Sequence, residues 1–307
     1  MLRMPTGAIR RIPRMRVAVV DVGANTLRLL VAEASAGGVS PVHEERRRTS
    51  LGEDVERLGR LTDEKISRSA YAARKEVRRA RKLGAARIAI VVTSPWRNAD
   101  NGPELVDALE RATGLGVRAL SAEEEAELGY VGALVSTGVE ADPVAVCDVG
   151  GGSTQLAVGS GPQPAWLRSV ELGSLRLTER CLHSDPPTRA ELAAARDAAD
   201  AAFDALTPPL PAVALATGGT ARGLRRAGYR RLDGPTLERA SEELAALPVS
   251  ARAKQARAEI HRSRTLPGGA IILARVQALL QVPLEVASGG IREGVCFDLL
   301  ESAAATA

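Results

Sequence analysis

Val146-Cys147-Asp148-Val149-Gly150-Gly151-Gly152-Ser153-Thr154-Gln155 is the stretch whose reading decides the fold. The run Pro143-Val144-Ala145-Val146-Cys147 is apolar and partly β-branched, so it reads as a buried strand that ends at Asp148. Three consecutive glycines remove every Cβ, which lets backbone N–H groups converge on an anion, and Ser153 and Thr154 add hydroxyl donors. Beyond the loop, Gln155-Leu156-Ala157-Val158-Gly159 alternates as a strand does, so the loop joins two strands. A dinucleotide fingerprint or a Walker loop would instead open a helix, and a Walker loop would end in Gly-Lys-Ser/Thr. From this stretch alone two readings stand: a phosphate cradle, or a glycine hairpin without a ligand.

The same pattern opens the chain. Arg16-Val17-Ala18-Val19-Val20 is a β-branched strand, Asp21-Val22-Gly23-Ala24-Asn25-Thr26 is a turn led by an acid, and Leu27-Arg28-Leu29-Leu30-Val31-Ala32 is the return strand. Two copies of strand, Asp-x-Gly turn and return strand suggest two similarly built α/β domains facing one cleft. The expected boundaries are a basic tail over 1–14, a first domain over 15–132 completed by a C-terminal helix at about 293–302, and a second domain over 133–292.

Bulk properties bound the possibilities. At 307 residues the chain is long enough for two cores, and 45% hydrophobic content with a mean hydropathy of -0.05 is that of an ordinary soluble protein. Aromatics make up 2%, which argues against base stacking and so against nucleic acid as a partner. A net charge of +4 favours an anionic ligand. Cys147, Cys181 and Cys296 lack metal-ligand spacing and are odd in number, as expected of a reducing, cytoplasmic setting. No apolar run reaches the ~20 residues of a membrane span. Residues 1–14 carry four arginines but no apolar h-region, so they read as a disordered tail or as the product of an upstream start codon, with Met4 or Met15 as the true start.

Further along, a helix is expected over 62–83, with a basic cluster from Arg74 to Lys82 that reads as a solvated face or a binding surface. The strand Arg87-Ile88-Ala89-Ile90-Val91-Val92 delivers Thr93 and Arg97 at its C-terminal end, where ligands of α/β sheets bind. Ser121 and Glu124 have capping-box spacing, which gives Glu124 a structural role and leaves Glu125 on the inward side of its helix as a candidate general base. Helices are expected to begin at Glu171, over 188–205 and over 267–280. The strand Val213-Ala214-Leu215-Ala216 runs into Thr217-Gly218-Gly219-Thr220, a glycine turn ahead of a helix over 221–227. Residues 252–264 carry six basic side chains spread around one helix, as a solvated face or one wall of a polyanion track. Leu284-Glu285-Val286-Ala287 is a strand, followed by the last glycine turn, Ser288-Gly289-Gly290-Ile291-Arg292-Glu293-Gly294.

Seven motifs in this order, from Asp21-Val22-Gly23-Ala24-Asn25-Thr26 through Thr93 with Arg97-Asn98-Ala99, Ser121-Ala122-Glu123-Glu124-Glu125-Ala126, Asp148 to Leu156, Glu171-Leu172-Gly173, Gly218-Gly219-Thr220 and the last glycine turn, resemble the exopolyphosphatase/guanosine pentaphosphate phosphohydrolase (Ppx/GppA) family. The resemblance implies two ribonuclease H-like domains around a cleft, as in the actin/sugar-kinase/Hsp70 superfamily, and a homodimer. It implies Mg2+-dependent hydrolysis, with a monovalent cation as a further candidate cofactor, of the terminal phosphate of polyphosphate or the 5′-phosphate of guanosine pentaphosphate. Under it Glu125 is the general base, and Gly23, Asn25, Thr26, Arg28, Thr93, Arg97, Gly150, Gly151, Gly152, Ser153, Gly218 and Gly219 bind phosphate. Asp148 is the metal-associated acid, with Asp21 and Gln155 as further candidates. Two departures stand out: Ala24 replaces the family's usual serine, and Gln155 its usual glutamate. The second motivates an alternative, a weakly catalytic sensor that binds guanosine tetra- or pentaphosphate.

Overall fold

A computed structural model describes residues 15–35 and 38–305; the basic tail 1–14 lies outside the described residues. The chain divides into two units, Met1–Glu140 with Gly289–Ala307, and Ala141–Ser288.

In the first unit β1 (Arg16–Val22), β2 (Thr26–Ser35), β3 (Gly38–Arg48), β4 (Ala85–Val92) and β5 (Val117–Ala119) form one sheet in the order β3-β2-β1-β4-β5. β1 pairs antiparallel with β2 and parallel with β4, and β2 continues antiparallel into β3. The second unit repeats this. Its strands β6 (Val144–Val149), β7 (Thr154–Gly159), β8 (Trp166–Val170), β9 (Val213–Thr217) and β10 (Leu284–Val286) run in the order β10-β9-β6-β7-β8, again a three-strand meander flanked by two strands parallel to its first. This is ribonuclease H-like topology, present twice.

The apolar runs of β1 and β6 are central strands covered on both faces, which is why they read as continuous rather than alternating. Along β1, Ala18, Val20 and Val22 enter one cluster, whereas Val17 and Val19 enter another on the opposite face. The helices that cover the first sheet are α1 (Leu51–Leu58), α2 (Asp63–Lys82), α3 (Ser94–Asn98), α4 (Gly102–Thr113) and α5 (Ala122–Thr137). Around the second sheet lie α6 (Ser174–Cys181), α7 (Arg189–Phe203), α8 (Gly218–Arg226), α9 (Gly234–Ala245), α10 (Val249–Gln255), α11 (Ile260–Arg264) and α12 (Leu266–Leu280). The final helix, α13 (Ile291–Ala305), belongs to the first unit and packs on α5.

The structure differs from the sequence reading in several places. The boundary between units falls after α5 instead of at residue 132, because that helix continues to Thr137 and its apolar face still buries Val135. Gly289 and Gly290 go with the first unit, since both lie against the backbone of Gly132. Helices α1 and α9 had no counterpart in the reading. Residues 252–264 are not one helix with charges all round. They form α10 and α11, and Arg252 is 2% exposed, donating to the carbonyl oxygens of Leu247, Ser263 and Arg264 and to Asp185. This arginine ties three segments together, so neither solvation nor an anion track describes it. Among the described residues no helix is long and apolar enough to cross a membrane.

Glycine makes the α5–α13 contact possible. A Cβ on Gly132 would lie 1.8 Å from the oxygen of Gly290, and one on Gly294 would lie 2.1 Å from the oxygen of Leu128. Gly132→Ala is therefore expected to cost about 2–3 kcal/mol by overpacking, with loss of amide-exchange protection in α5 and α13. Gly84→Ala supplies the contrast. At Gly84 φ is +80° with nothing within 4 Å, so only the left-handed backbone penalty of about 1–2 kcal/mol applies. Equal effects in urea denaturation would refute the packing argument.

Candidate active site

In the second unit the loop leaves β6 at Asp148–Val149 and re-enters the sheet at Thr154. Its turn is closed by the N–H of Gly150 donating to the oxygen of Ser153, 3.0 Å. The carbonyl groups of the glycines point to the start of α6: Ser174 N–H donates to Gly150 oxygen, and the N–H groups of Leu175 and Arg176 donate to Gly151 oxygen, all within 2.9–3.0 Å. The Ser174 hydroxyl adds a bond to Gly150 oxygen at 3.1 Å. With the Gly150 and Gly151 carbonyls held by a helix N-terminus, this part of the loop is left to present N–H groups, the polarity an anion needs. The approach leaves no room for a side chain, since a Cβ on Gly173 would lie 2.5 Å from the carbonyl of Gly151.

Asp148 stands at the end of β6 above Gly218, where φ is +82° and a Cβ would lie 2.2 Å from Oδ1 of the aspartate. Gly218 and Gly219 are the first turn of α8, so the helix begins three residues earlier than the sequence suggests. Burial, with help from the neighbouring Asp148 carboxylate, pushes the Cys147 thiol well above its ordinary range, so this cysteine is an inert core residue. Gln155 is Asp148's cross-strand partner on β7, and Ser169 is Gln155's partner on β8. The Gln155 amide nitrogen donates to the Ser153 hydroxyl at 2.9 Å and to the Ser169 hydroxyl at 3.0 Å.

The first unit builds its loop by the same rules. Gly23 N–H donates to the oxygen of Thr26, 3.1 Å, in the position that Gly150 and Ser153 occupy in the other copy. The carbonyl of Ala24 accepts from Gly52 and that of Asn25 from Thr49 and Ser50, at the start of α1. Arg28 Nε donates to the Thr26 hydroxyl, 3.3 Å. Thr93, 5% exposed, closes the other side, and a Cβ on Gly23 would be 3.8 Å from its Oγ1.

Within this unit Arg97 and Glu125 meet. Nη2 of Arg97 donates to Oε2 of Glu125 at 2.8 Å, and Nη1 donates to the oxygen of Leu120 at 3.0 Å, an oxygen that also accepts from Trp96 Nε1. The capping box explains why Glu125 is the available acid: Ser121 and Glu124 bond reciprocally, and the Ser121 backbone N–H with Arg118 holds the Glu124 carboxyl below its ordinary range. Arg292 at the start of α13 is buried and bonds Glu44 at 3.1 Å. Burial opposes its charge, but the carboxylates of Glu293, Glu44 and Asp21 hold the guanidinium above its ordinary range.

The sequence-predicted residues thus fall into two groups. Asp21, Gly23, Asn25, Thr26, Arg28, Thr93, Arg97 and Glu125 lie in the first unit, and Asp148, Gly150, Gly151, Gly152, Ser153, Gln155, Gly218 and Gly219 in the second. Sequence reasoning missed Gly52 with α1 and Ser174, which hold the loops, and Ser169, which holds Gln155; Gly173 and Arg292 stand within quoted motifs but carried no assigned role. A signal existed, because Leu51-Gly52 and Leu172-Gly173 repeat one dipeptide at the end of each meander.

Two sheets of one topology, each carrying an Asp-x-Gly loop at the end of its first strand, define a duplicated α/β protein of the actin-like class. More narrowly, the chain belongs to the Ppx/GppA phosphatase family, whose sequence profile matches residues 30–303. An exopolyphosphatase 2 of Mycobacterium tuberculosis is 38% identical over 190 residues, which span 59% of this chain and 59% of that protein. An exopolyphosphatase 1 of Mycobacterium bovis is 29% identical over 309 residues, covering 94% of this chain and 90% of its own length. The crystal structure of an Aquifex aeolicus Ppx/GppA family member superimposes with a TM-score of 0.81 at 26% identity, covering 95% of this chain and 99% of that one.

Side-chain exposures of 13% and 8% make Arg97–Glu125 a largely buried pair. Removing one partner takes the ion pair from a charge that stays buried, so Arg97→Met should destabilise by about 3–5 kcal/mol, and the double variant Arg97→Met/Glu125→Leu by less than the single. Additive losses would show that the pair is not coupled.

Proposed function

We propose that this protein is a phosphohydrolase that releases the terminal phosphate of inorganic polyphosphate or the 5′-phosphate of guanosine pentaphosphate. The observation that carries this reading is the duplicated loop with its carbonyls turned to a helix start, together with the Arg97-held carboxylate of Glu125. Names of similar proteins support polyphosphate as the substrate class.

The residues divide the work. The glycine loop of the second unit cradles phosphoryl oxygens through backbone N–H groups and Ser153, while Glu125 orients the attacking water and accepts its proton. Arg97 holds one oxygen of Glu125, which fixes the direction of the carboxylate. Thr26 and Thr93 flank the first loop as hydroxyl donors. The chemistry fits a divalent cation of the magnesium type. Among the described residues no three His, Cys, Asp or Glu side chains gather as a metal cage, and each loop brings one carboxylate, Asp21 or Asp148. Magnesium suits such a site, because it keeps several waters and takes one or two carboxylates plus substrate phosphate oxygens. Asp148 with the Gln155 side-chain carbonyl would hold it in the second unit, and bound there it would neutralise charge on the phosphoryl oxygens.

The test is phosphate release from polyphosphate, guanosine pentaphosphate and ATP, with and without Mg2+, by wild type and Glu125→Gln. Wild type should act on at least one of the first two only with the metal, and the variant should be slower by about 10²–10⁴-fold, the usual contribution of a positioned base. Equal rates would remove Glu125 from the role. Tight nucleotide binding with no turnover of any substrate would refute hydrolysis.

A further inference from the structure

We propose that Gln155 is a positioning residue that turns the Ser153 hydroxyl into a dedicated donor for the anion in the glycine loop. Three side chains carry the argument. Asp148, Gln155 and Ser169 occupy one row across β6, β7 and β8, each the direct register partner of the next, so their side chains share one face of the sheet. Gln155 is 3% exposed and Ser153 is 2% exposed. The amide nitrogen between them carries two hydrogens and spends both, one on Ser153 Oγ at 2.9 Å and one on Ser169 Oγ at 3.0 Å.

A serine hydroxyl has one hydrogen and two lone pairs. Because Gln155 offers only hydrogens at this contact, Ser153 must accept there, and its own hydrogen turns away towards another acceptor. The Gly150 and Gly151 carbonyls beside it are taken by the start of α6 and the Ser153 carbonyl by Gly150 N–H, and the acceptor that fits the hydroxyl hydrogen is the oxygen of a bound phosphoryl group. Ser169 holds the second amide hydrogen and keeps the amide from rotating.

A second observation points the same way. In the first unit the residue seven positions after the loop aspartate is Arg28, which also donates to the hydroxyl five positions after that aspartate, Thr26. Arginine, like the amide nitrogen, is only a donor. Both copies thus place a donor against the loop hydroxyl, with different residues. A glutamate at 155 would do the reverse. It would accept from Ser153 and Ser169, drawing the Ser153 hydrogen into the protein, and would set a second negative charge opposite Asp148.

This inference rests on the reading of the loop as a phosphate site, and the experiment separates the two. Affinity for inorganic phosphate is measured by calorimetry, and kcat and KM for polyphosphate by phosphate release, in wild type, Gln155→Glu, Ser153→Ala, Ser169→Ala and the double variant Gln155→Glu/Ser153→Ala. Loss of one hydrogen bond to a charged group should weaken phosphate binding about tenfold or more in Gln155→Glu and in Ser153→Ala, with KM moving more than kcat. The double variant should be no weaker than the worse single, and Ser169→Ala should show a smaller loss in the same direction. Unchanged or improved phosphate affinity in Gln155→Glu, multiplying losses in the double variant, or no phosphate binding by wild type would overturn the proposal. Failure to turn over any substrate while the affinity pattern holds would instead count only against hydrolysis.

Discussion

A backbone carbonyl cannot face a phosphate. In each unit the loop between the first two strands would, as a bare turn, expose oxygens as readily as N–H groups, and an anion would meet both. The structure removes the oxygens by giving them to the start of the next helix: Gly150 and Gly151 to α6, Ala24 and Asn25 to α1. That arrangement dictates much else. The helix must come within van der Waals contact of the loop, which leaves glycine as the only tolerated residue at 173. The third strand of the meander must end where the helix can begin, which fixes the lengths of β3 and β8.

Duplication shows which features are architectural and which are particular to one unit. The turn bond from the second residue after the aspartate to the fifth is present in both, at 3.1 and 3.0 Å. So is the donor at the seventh position. The identities differ: Arg28 faces Asp21, whereas Gln155 faces Asp148. An arginine opposite an aspartate offsets its charge, while a glutamine leaves that charge in place. Asp21 is further balanced by Arg292.

Much of this was legible before any coordinates. Continuous apolar strands, two Asp-x-Gly turns and the capping box around Ser121 are local patterns with local causes, so the duplicated topology and the singling out of Glu125 follow from them. Long-range partners were not legible. Arg252 looks like any surface arginine in a basic run, and only the approach of Asp185 and of the carbonyls from residues 247, 263 and 264 makes it a buried tie. Arg97 is a phosphate ligand under the family resemblance; that it reaches Glu125, 28 residues away, depends on how α3 and the start of α5 come together. Gln155 looked like a missing charge, and its two serine partners lie on either side of it in register rather than in sequence.

The Arg97–Glu125 pair carries a consequence for the proposed chemistry. Arg97 holds one oxygen of the Glu125 carboxylate and so fixes the direction of that group. In the proposed chemistry a carboxylate of fixed direction serves to orient a water, which suits phosphoryl transfer, where bond formation to the nucleophile lags behind departure of the leaving group.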